Sequence, residues 1–204
     1  MSTSPHPTTI TSLENDVLSC VRRFVIDHCY DKFTDKLPQL RPEQVIRGRQ
    51  ALANRLRENE YCVITVITQE RKGTAIHDYE PNKDDNDGKL TLIQTVLSSV
   101  QIDFYNHSAK AGYDPANERA NIAASYANST ECAKIFHGYN PLISCMYSDE
   151  PITFPEVDDS HQITQRTSIT LHLCESKGHS LPMHFIDYCY TSSTNVDTLP
   201  DKEV

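Results

Sequence analysis

The feature that most constrains the fold is residues 91–105, TLIQTVLSSVQIDFY, the longest segment with a clean β-strand pattern. Its apolar side chains recur mainly at every second position, which puts one set on a single side of the strand: Leu92, Val96, Val100, Ile102 and Phe104. At ~3.3 Å per residue the segment would extend roughly 50 Å, well beyond the usual strand. We therefore predict a bend or bulge within it, at Ser98-Ser99, and partner strands from the flanking segments.

The composition limits the size of the core and the kind of partner. The 204 residues suit one domain, but only 38% of them are apolar and there is no tryptophan. This favours a modest core with much polar surface, or a protein completed by neighbouring subunits. The formal net charge of −9 argues against nucleic-acid binding through the overall field of the protein.

Nothing in the sequence indicates a membrane or an exported protein. No apolar run approaches the ~20 residues of a membrane span, and residues 1–11 lack the basic start and apolar middle of a signal peptide. We expect no membrane partner and synthesis in the cytoplasm. The seven cysteines form no CxxC pair, which fits reduced and mostly buried thiols.

Two helices are predicted from apolar spacing and from capping residues. The first spans about residues 12–32 and buries one face. The second starts after Asp114, a good N-cap, with Pro115 at the first helical position, and runs through Asn128 or beyond. Because it is rich in alanine, it can pack closely on a sheet or on a copy of itself.

Further strands are predicted on both sides of the long one. Residues 61–68 are apolar on both faces, which predicts a central strand. Residues 142–147 and 183–190 predict short strands, and residues 163–174 alternate clearly. Between them, residues 148–160 are acidic and contain prolines, which predicts a loop.

Residues 44–57 form the clearest basic segment of this acidic chain. They contain no acidic residue and four arginines: Arg47, Arg49, Arg55 and Arg57. One hypothesis is contact with an acidic partner surface or with phosphate. The alternative is a solvated connector.

Residues 71–89 carry mixed charge between two predicted strands. The acidic cluster within them resembles a calcium loop, but aligning Gly88 with the loop glycine puts Lys83 at the first ligand position and Gln94 at the last. We instead predict a tight turn at Asp87-Gly88.

A connection of this length is either functional or disordered. We predict a hairpin that continues the flanking strands, or a segment that a partner orders, and in both cases a docking arm. Its candidate contact residues combine charge and one aromatic ring: Lys72, Tyr79, Asp84, Asp85 and Asp87.

The sequence offers no positive argument for an enzyme. Zinc-type ligands do occur within residues 172–189: His172, Cys174, His179, His184 and Cys189. Their spacing matches no common zinc module, and the chain has no phosphate loop, GxGxxG or GxSxG motif. We predict no catalytic residues, no metal and no cofactor, and keep a metal-binding enzyme that uses this window as an alternative.

Three segments, taken in order, resemble the neck or tail terminator (tail-completion) proteins of tailed bacteriophages. VIRGRQALANRL precedes the strand YCVITVIT, and VQIDFYN ends a strand with an aspartate and an aromatic residue. In MYSDEPITFPEVDDSHQITQRTSITLHL, an acidic, proline-containing loop precedes a strand that carries Gln and Arg. The resemblance covers about residues 44–174.

The resemblance implies an α/β (α+β) domain, with helices on one face of a twisted, mainly antiparallel sheet and a long projecting loop or hairpin. It implies a structural protein of the virion, assembled in the host cytoplasm, in which six copies form a ring at the neck. The ring would cap the tail tube and join it to the head–tail connector or adaptor, with sheath subunits as possible further partners. DNA would pass through the lumen without specific binding.

The expected organisation is a flexible N-terminus over residues 1–11, a terminator-like domain over 12–190 and a polar, acidic tail over 191–204. Another neck component or a tail-tube subunit is the alternative within the virion.

Overall fold

The computed structural model describes residues 14–32, 36–48, 59–81, 87–107, 114–157 and 163–184. The elements follow one another in this order: α1 Glu14–His28, β1 Val45–Arg47, β2 Glu60–Pro81, β3 Asp87–Asn106, α2 Pro115–Ala127, α3 Thr130–Tyr139, β4 Ile143–Ser148, β5 Ile152–Val157 and β6 Ile163–His184. The sheet has the strand order β1-β2-β3-β6-β4, and β5 also pairs with β6. Only β1 and β2 pair in parallel. This mainly antiparallel α+β architecture confirms the predicted fold class.

The predicted long strand is β3, at the centre of the sheet. It pairs with β6 in one unbroken register from Asp87↔His184 to Asn106↔Gln165. The predicted bulge lies at the expected level but on β2, where Ile67 is an extra residue opposite Ser99 and Val100. Placing it within β3 was wrong, because β3 is held by strands on both sides whereas the second edge of β2 is open at that level in the described chain.

One hydrophobic core lies between the sheet and the three helices, which all pack on the same face. The four buried alanines of α2 let that helix approach the strands closely: Ala116, Ala120, Ala123 and Ala127. From α1 and α3, the rings of Phe24 and Phe136 meet with their centroids 5.3 Å apart. The predicted helix packing on one face is therefore confirmed.

The predicted start of α2 is confirmed, because local capping chemistry controls it. Asp114 caps α2 by accepting hydrogen bonds from the backbone nitrogens of Ala116 and Asn117 at 3.0 and 3.1 Å. Helix α1 lies within the predicted residues 12–32. Helix α3 was not predicted as a separate element, because only Cys132 and Phe136 of its ten residues are buried, which leaves almost no apolar period to recognise.

Three strand predictions were wrong in detail. Strand β2 lies between two neighbours only at Cys62–Ile64, so it is not the central strand. The predicted acidic loop contains β5, an edge strand that tolerates Pro155. Residues 183 and 184 end β6 rather than beginning a separate strand; residues 185–190 lie outside the described residues.

The predicted N-terminal segment 1–11 and acidic tail 191–204 also lie outside the described residues, so the domain limits stay predictions. None of the helices described is both long and apolar enough to cross a bilayer.

Candidate assembly surfaces

Three long strands continue beyond the helices and form a projecting sheet, which we call the arm. It consists of residues 68–81 of β2, 87–97 of β3 and 176–184 of β6. The main hydrophobic cluster includes none of these residues, and Val96, at the end next to the base, is buried outside that cluster. Eleven residues of β3 at ~3.3 Å each give it a length of roughly 35 Å. We call the rest of the sheet, with its three helices, the base.

The arm is the hairpin predicted from residues 71–89, widened by a third strand. Gly88 pairs with Pro81 on one side and with Met183 on the other. Asp87-Gly88 is therefore part of a strand and not the predicted turn. The candidate residues Asp84 and Asp85 lie outside the described residues, and Asp87 opens β3.

The β2 side of the arm is exposed and irregular. Lys72 pairs with Thr95 and Ile76 with Ile93, so three β2 residues lie opposite Gln94 alone. Among those three is Gly73, whose φ of +71° is a left-handed conformation that favours glycine. The sequence-predicted contact residues Lys72 and Tyr79 are exposed here, and the Lys72 ammonium lies 2.7 Å from the Glu70 carboxylate.

A buried polar group marks the junction between base and arm. Glu175 is fully buried and accepts a hydrogen bond from the Ser98 hydroxyl. Its second oxygen lies 3.4 Å from the Lys177 ammonium, and the Gln69 amide lies 3.4 Å from the Ser98 hydroxyl. At this level polar side chains first enter the sheet face that meets the helices.

On the base, the sheet face opposite the helices carries an ordered polar network. The buried Asp103 carboxylate accepts hydrogen bonds from the Gln101 amide at 2.8 and 3.0 Å, from Arg166 Nε at 3.3 Å and from the Ser168 hydroxyl. Four hydrogen bonds from three side chains fix this carboxylate, and the carboxylate in turn orients Arg166.

Aromatic rings surround Arg166. Its guanidinium carbon lies 5.6 Å from the ring centre of Tyr105 and 5.5 Å from that of Phe154. Tyr61 stacks on Tyr105 with centroids 4.7 Å apart. Arginine held between aromatic rings is typical of the centre of protein–protein interfaces.

The same face exposes further large apolar side chains. Tyr147, Ile152 and Phe154 are 47%, 57% and 40% exposed. Tyr147 stacks on His172 with centroids 4.4 Å apart, and His172 Nε2 lies 3.1 Å from the Asp149 carboxylate. We call this surface, from Asp103 and Arg166 to His172, the helix-free face.

The structure does not assemble the candidate zinc ligands. Within the described ranges, no group of three or more His, Cys, Asp or Glu side chains could hold a metal ion. His172 is engaged by Tyr147 and Asp149 as above, while Cys189 lies outside the described residues.

Most of the cysteine side chains described belong to the core. Burial raises the pKa of the Cys29 and Cys62 thiols, so both stay protonated at neutral pH and pack as small apolar groups. The expectation of mostly buried thiols is confirmed for the described cysteines, among which Cys29 is completely buried.

Of the basic segment, the structure describes only Arg47 among the four arginines. It ends β1 and its Nη2 donates to the Ser19 hydroxyl of α1 at 3.0 Å, so the side chain is held against the helix. Arg49, Arg55 and Arg57 lie outside the described residues.

The segments behind the sequence resemblance meet in the sheet. Asp103 and Asn106 of β3 face Arg166 and Gln165 of β6, and the Asn106 amide donates to the Gln165 amide oxygen at 3.1 Å. The sequence model of the phage neck terminator proteins matches residues 15–197. The chain belongs to the phage neck terminator family. Among curated proteins, none matches it.

The match spans the arm as well as the base, so both are part of the family domain. It confirms the resemblance found in the sequence, and it extends that resemblance beyond residue 174. This terminator is therefore a structural protein of the phage neck or tail that interacts with other head or tail components.

Proposed function

We propose that this terminator forms a closed ring of six copies that caps the tail tube and joins it to the head–tail connector. The observation that carries the proposal is the family match over residues 15–197. Ring subunits would meet through heterologous contacts, with one face of each copy against a different face of the next. The protein would act without catalysis, in particles assembled in the host cytoplasm, and tail-tube and possibly sheath subunits would be its neighbours.

The arm supports this proposal because it extends well beyond what the fold needs. It adds no residue to the main hydrophobic cluster, and it exposes Ile76 at 67% and Tyr79 at 51%. An uncovered ribbon of strands is marginally stable by itself. Contact with a neighbour would supply the missing burial, so we assign Lys72, Tyr79 and the acidic residues Asp84, Asp85 and Asp87 to docking.

The helix-free face supports a second contact, with another head or tail component. Its central Arg166 is held by Asp103 and flanked by two rings before any partner arrives. A preorganised side chain loses little entropy on binding, so more of its interaction energy appears as affinity.

The net charge of −9 suits a ring around passing DNA. A basic lumen would hold phosphates through counterion release, whereas an acidic lumen lets the duplex slide. We therefore assign Arg47, Arg49, Arg55 and Arg57 to an acidic neighbour rather than to DNA. Replacing Arg49 and Arg55 by Glu should weaken assembly more strongly at low salt than at high salt, since the lost attraction is electrostatic. Intact assembly of this variant at both low and high salt would show that the segment is a solvated connector.

Localisation in the particle tests the proposed function. Phage that lacks this gene product would be complemented with a tagged chain, and the particles would be imaged by electron cryomicroscopy. We expect one ring of the chain at the head–tail junction, and unjoined heads and tails without complementation. Copies along the whole tail would instead identify a tail-tube subunit, and a neck position without a ring would reject the proposal.

A further inference from the structure

The arm has two open strand edges in the described part of the chain. On β2, pairing with β1 ends at Ile64, and on β6, pairing with β4 ends at Glu175, followed by one hydrogen bond from Ser176 N to the Leu142 carbonyl. Beyond these points, no other strand of the described residues pairs with either outer edge. Open edges present backbone donors and acceptors that favour pairing with another strand.

The hydrogen-bond pattern shows which backbone groups the β6 edge offers. The Ser176 amide and the Thr170 carbonyl both bond away from β3, so even-numbered β6 residues direct their backbone groups outward. Gly178 and Ser180 continue this series. Pro182, which has no N–H, ends the run of donors.

The direction of the strands decides which second edge can meet this one. Strand β2 is antiparallel to β3 and β3 is antiparallel to β6, so β2 and β6 run in the same direction. Rotation about a ring axis preserves the direction of every strand along that axis. In a closed ring, the β6 edge of each copy therefore meets the β2 edge of the next in parallel, and no edge is left over.

Side-chain size also fits this join. On the face opposite the helices, residues 176–180 of the β6 edge are small: Ser176, Gly178 and Ser180. On the same face, β2 carries the longer Lys72, Ile76 and Asp78. Long side chains of one edge would thus lie beside short ones of the other. The irregularities of β2 at Ile67 and Gly73 add curvature of the kind that sheets need for closure.

We propose that the arms join edge to edge, β6 of one copy with β2 of a second copy, in a closed cylinder of parallel-joined three-stranded sheets. This rests on the proposed ring. Six copies would contribute about 18 strands, a number at which barrels enclose an aqueous channel.

Cross-linking between Asp78 and Ser180 tests the join. Both residues pair with Thr91 and share a face, with β3 between them. Two strand spacings of ~4.8 Å separate their Cα atoms by roughly 10 Å within one chain. A disulfide requires less than about 7 Å, so Cys at both positions can pair only across a join. Because closure of a cylinder staggers the strands, Ser180→Cys is also combined with Ile76→Cys and with Glu80→Cys in two further double variants.

In assembled full-length rings, one of these double variants should give, on oxidation, a ladder of covalent multimers that ends at the copy number. Each single variant, and the unsubstituted chain with its native cysteines, should run as a monomer on the same non-reducing gel. A mixture of the Asp78→Cys and Ser180→Cys chains should give dimers, which shows that the partner is a second copy. Efficient dimers of Asp78→Cys alone would indicate two-fold pairing and overturn the proposal.

Proline at Ser180 provides an independent test. Ser180→Pro and Ser180→Val both remove the 3.3 Å hydroxyl contact with Thr91, and both leave the backbone pairing with β3 intact. Only proline also removes the outward N–H. The valine variant should assemble normally, and the proline variant should assemble poorly while its monomer melts at the same temperature. Equal assembly of both, or intact neck rings without any ladder, would reject the edge join and leave the proposed function standing. Absence of any ring would reject both.

Discussion

The base and the arm are built from the same three strands, yet they differ in what holds them. At the base, β3 presents Val100, Ile102 and Phe104 to three helices, with 0–1% exposure. A few residues further along, the same strand enters a sheet that no described helix covers. The strands thus serve two purposes: burial against helices gives the base its stability, and the uncovered continuation is available for other molecules.

The energetic contrast follows from burial. Each large apolar side chain buried at the base contributes about 1.5–3 kcal/mol. In the arm, most of the stability comes from the hydrogen bonds between strands, which contribute about 1 kcal/mol each. We therefore expect the arm to open locally, well below the free energy of global unfolding, which amide hydrogen exchange would measure.

Removal of most of the β2 and β3 residues of the arm should produce the largest effect. Lys72 and Thr95 are paired, so residues 73–94 can be replaced by an Asn-Gly hairpin turn that closes this pair. The variant should fold with a melting temperature within a few degrees of the original, because residues 73–94 contribute no side chain to the hydrophobic core. It should nevertheless fail to restore infective particles in complementation.

Lys134→Ala, on the exposed surface of α3, is the matched control and should restore particles fully. Normal particle yield from the variant without the arm would contradict the docking role.

A paired truncation should sharpen the contrast in stability. Phe136→Ala at the base removes a fully buried ring in contact with Phe24, and should lower the free energy of unfolding by about 3–5 kcal/mol. Tyr79→Ala in the arm removes a ring that is 51% exposed, and should change it by less than about 0.5 kcal/mol. Urea titrations of both proteins measure the difference. Similar losses would mean that the arm is part of the cooperative core.

The helix-free face should show a smaller effect on stability. Asp103→Asn leaves Arg166 without its carboxylate partner and should lower the free energy of unfolding by about 2 kcal/mol, less than for a fully buried pair because Arg166 is 27% exposed. The companion variants Arg166→Gln and Asp103→Asn with Arg166→Gln complete a double-mutant cycle. Additive losses would show that the two residues do not interact in solution.

The smallest effect concerns pH. Burial, followed by the charge of Lys32, lowers the pKa of His28, while Asp27 opposes the shift. The folded state therefore prefers the neutral ring, so stability should be complete above the ordinary pKa of about 6.5 and should fall as the pH drops below it. His28→Gln should flatten this part of the stability curve in urea titrations at several pH values. An unchanged slope would mean that other groups cause the dependence.

The arm also shows how much of the structure the sequence predicted. A projecting hairpin was expected from residues 71–89, together with Lys72 and Tyr79 on its surface, because alternation and charge are local signals. Its third strand was not expected, because the local sequence around residues 176–184 does not indicate that they pair with β3. The helix-free network was missed as a site although the resemblance had already singled out its segments, one ending in an aspartate and an aromatic residue and one carrying Gln and Arg.

The sequence by itself determined the long strand β3, the capped start of α2 at Asp114 and membership in the terminator family, because strand period, capping and motif order are all local features of short segments. Only the tertiary structure decided that the bulge lies in β2, that residues 152–157 form a strand, and that Asp103 meets Arg166 across 63 positions of the chain. These depend on which strands become neighbours. Pairing of that kind is set by burial of the whole sheet against the helices, and no local window of the sequence contains it.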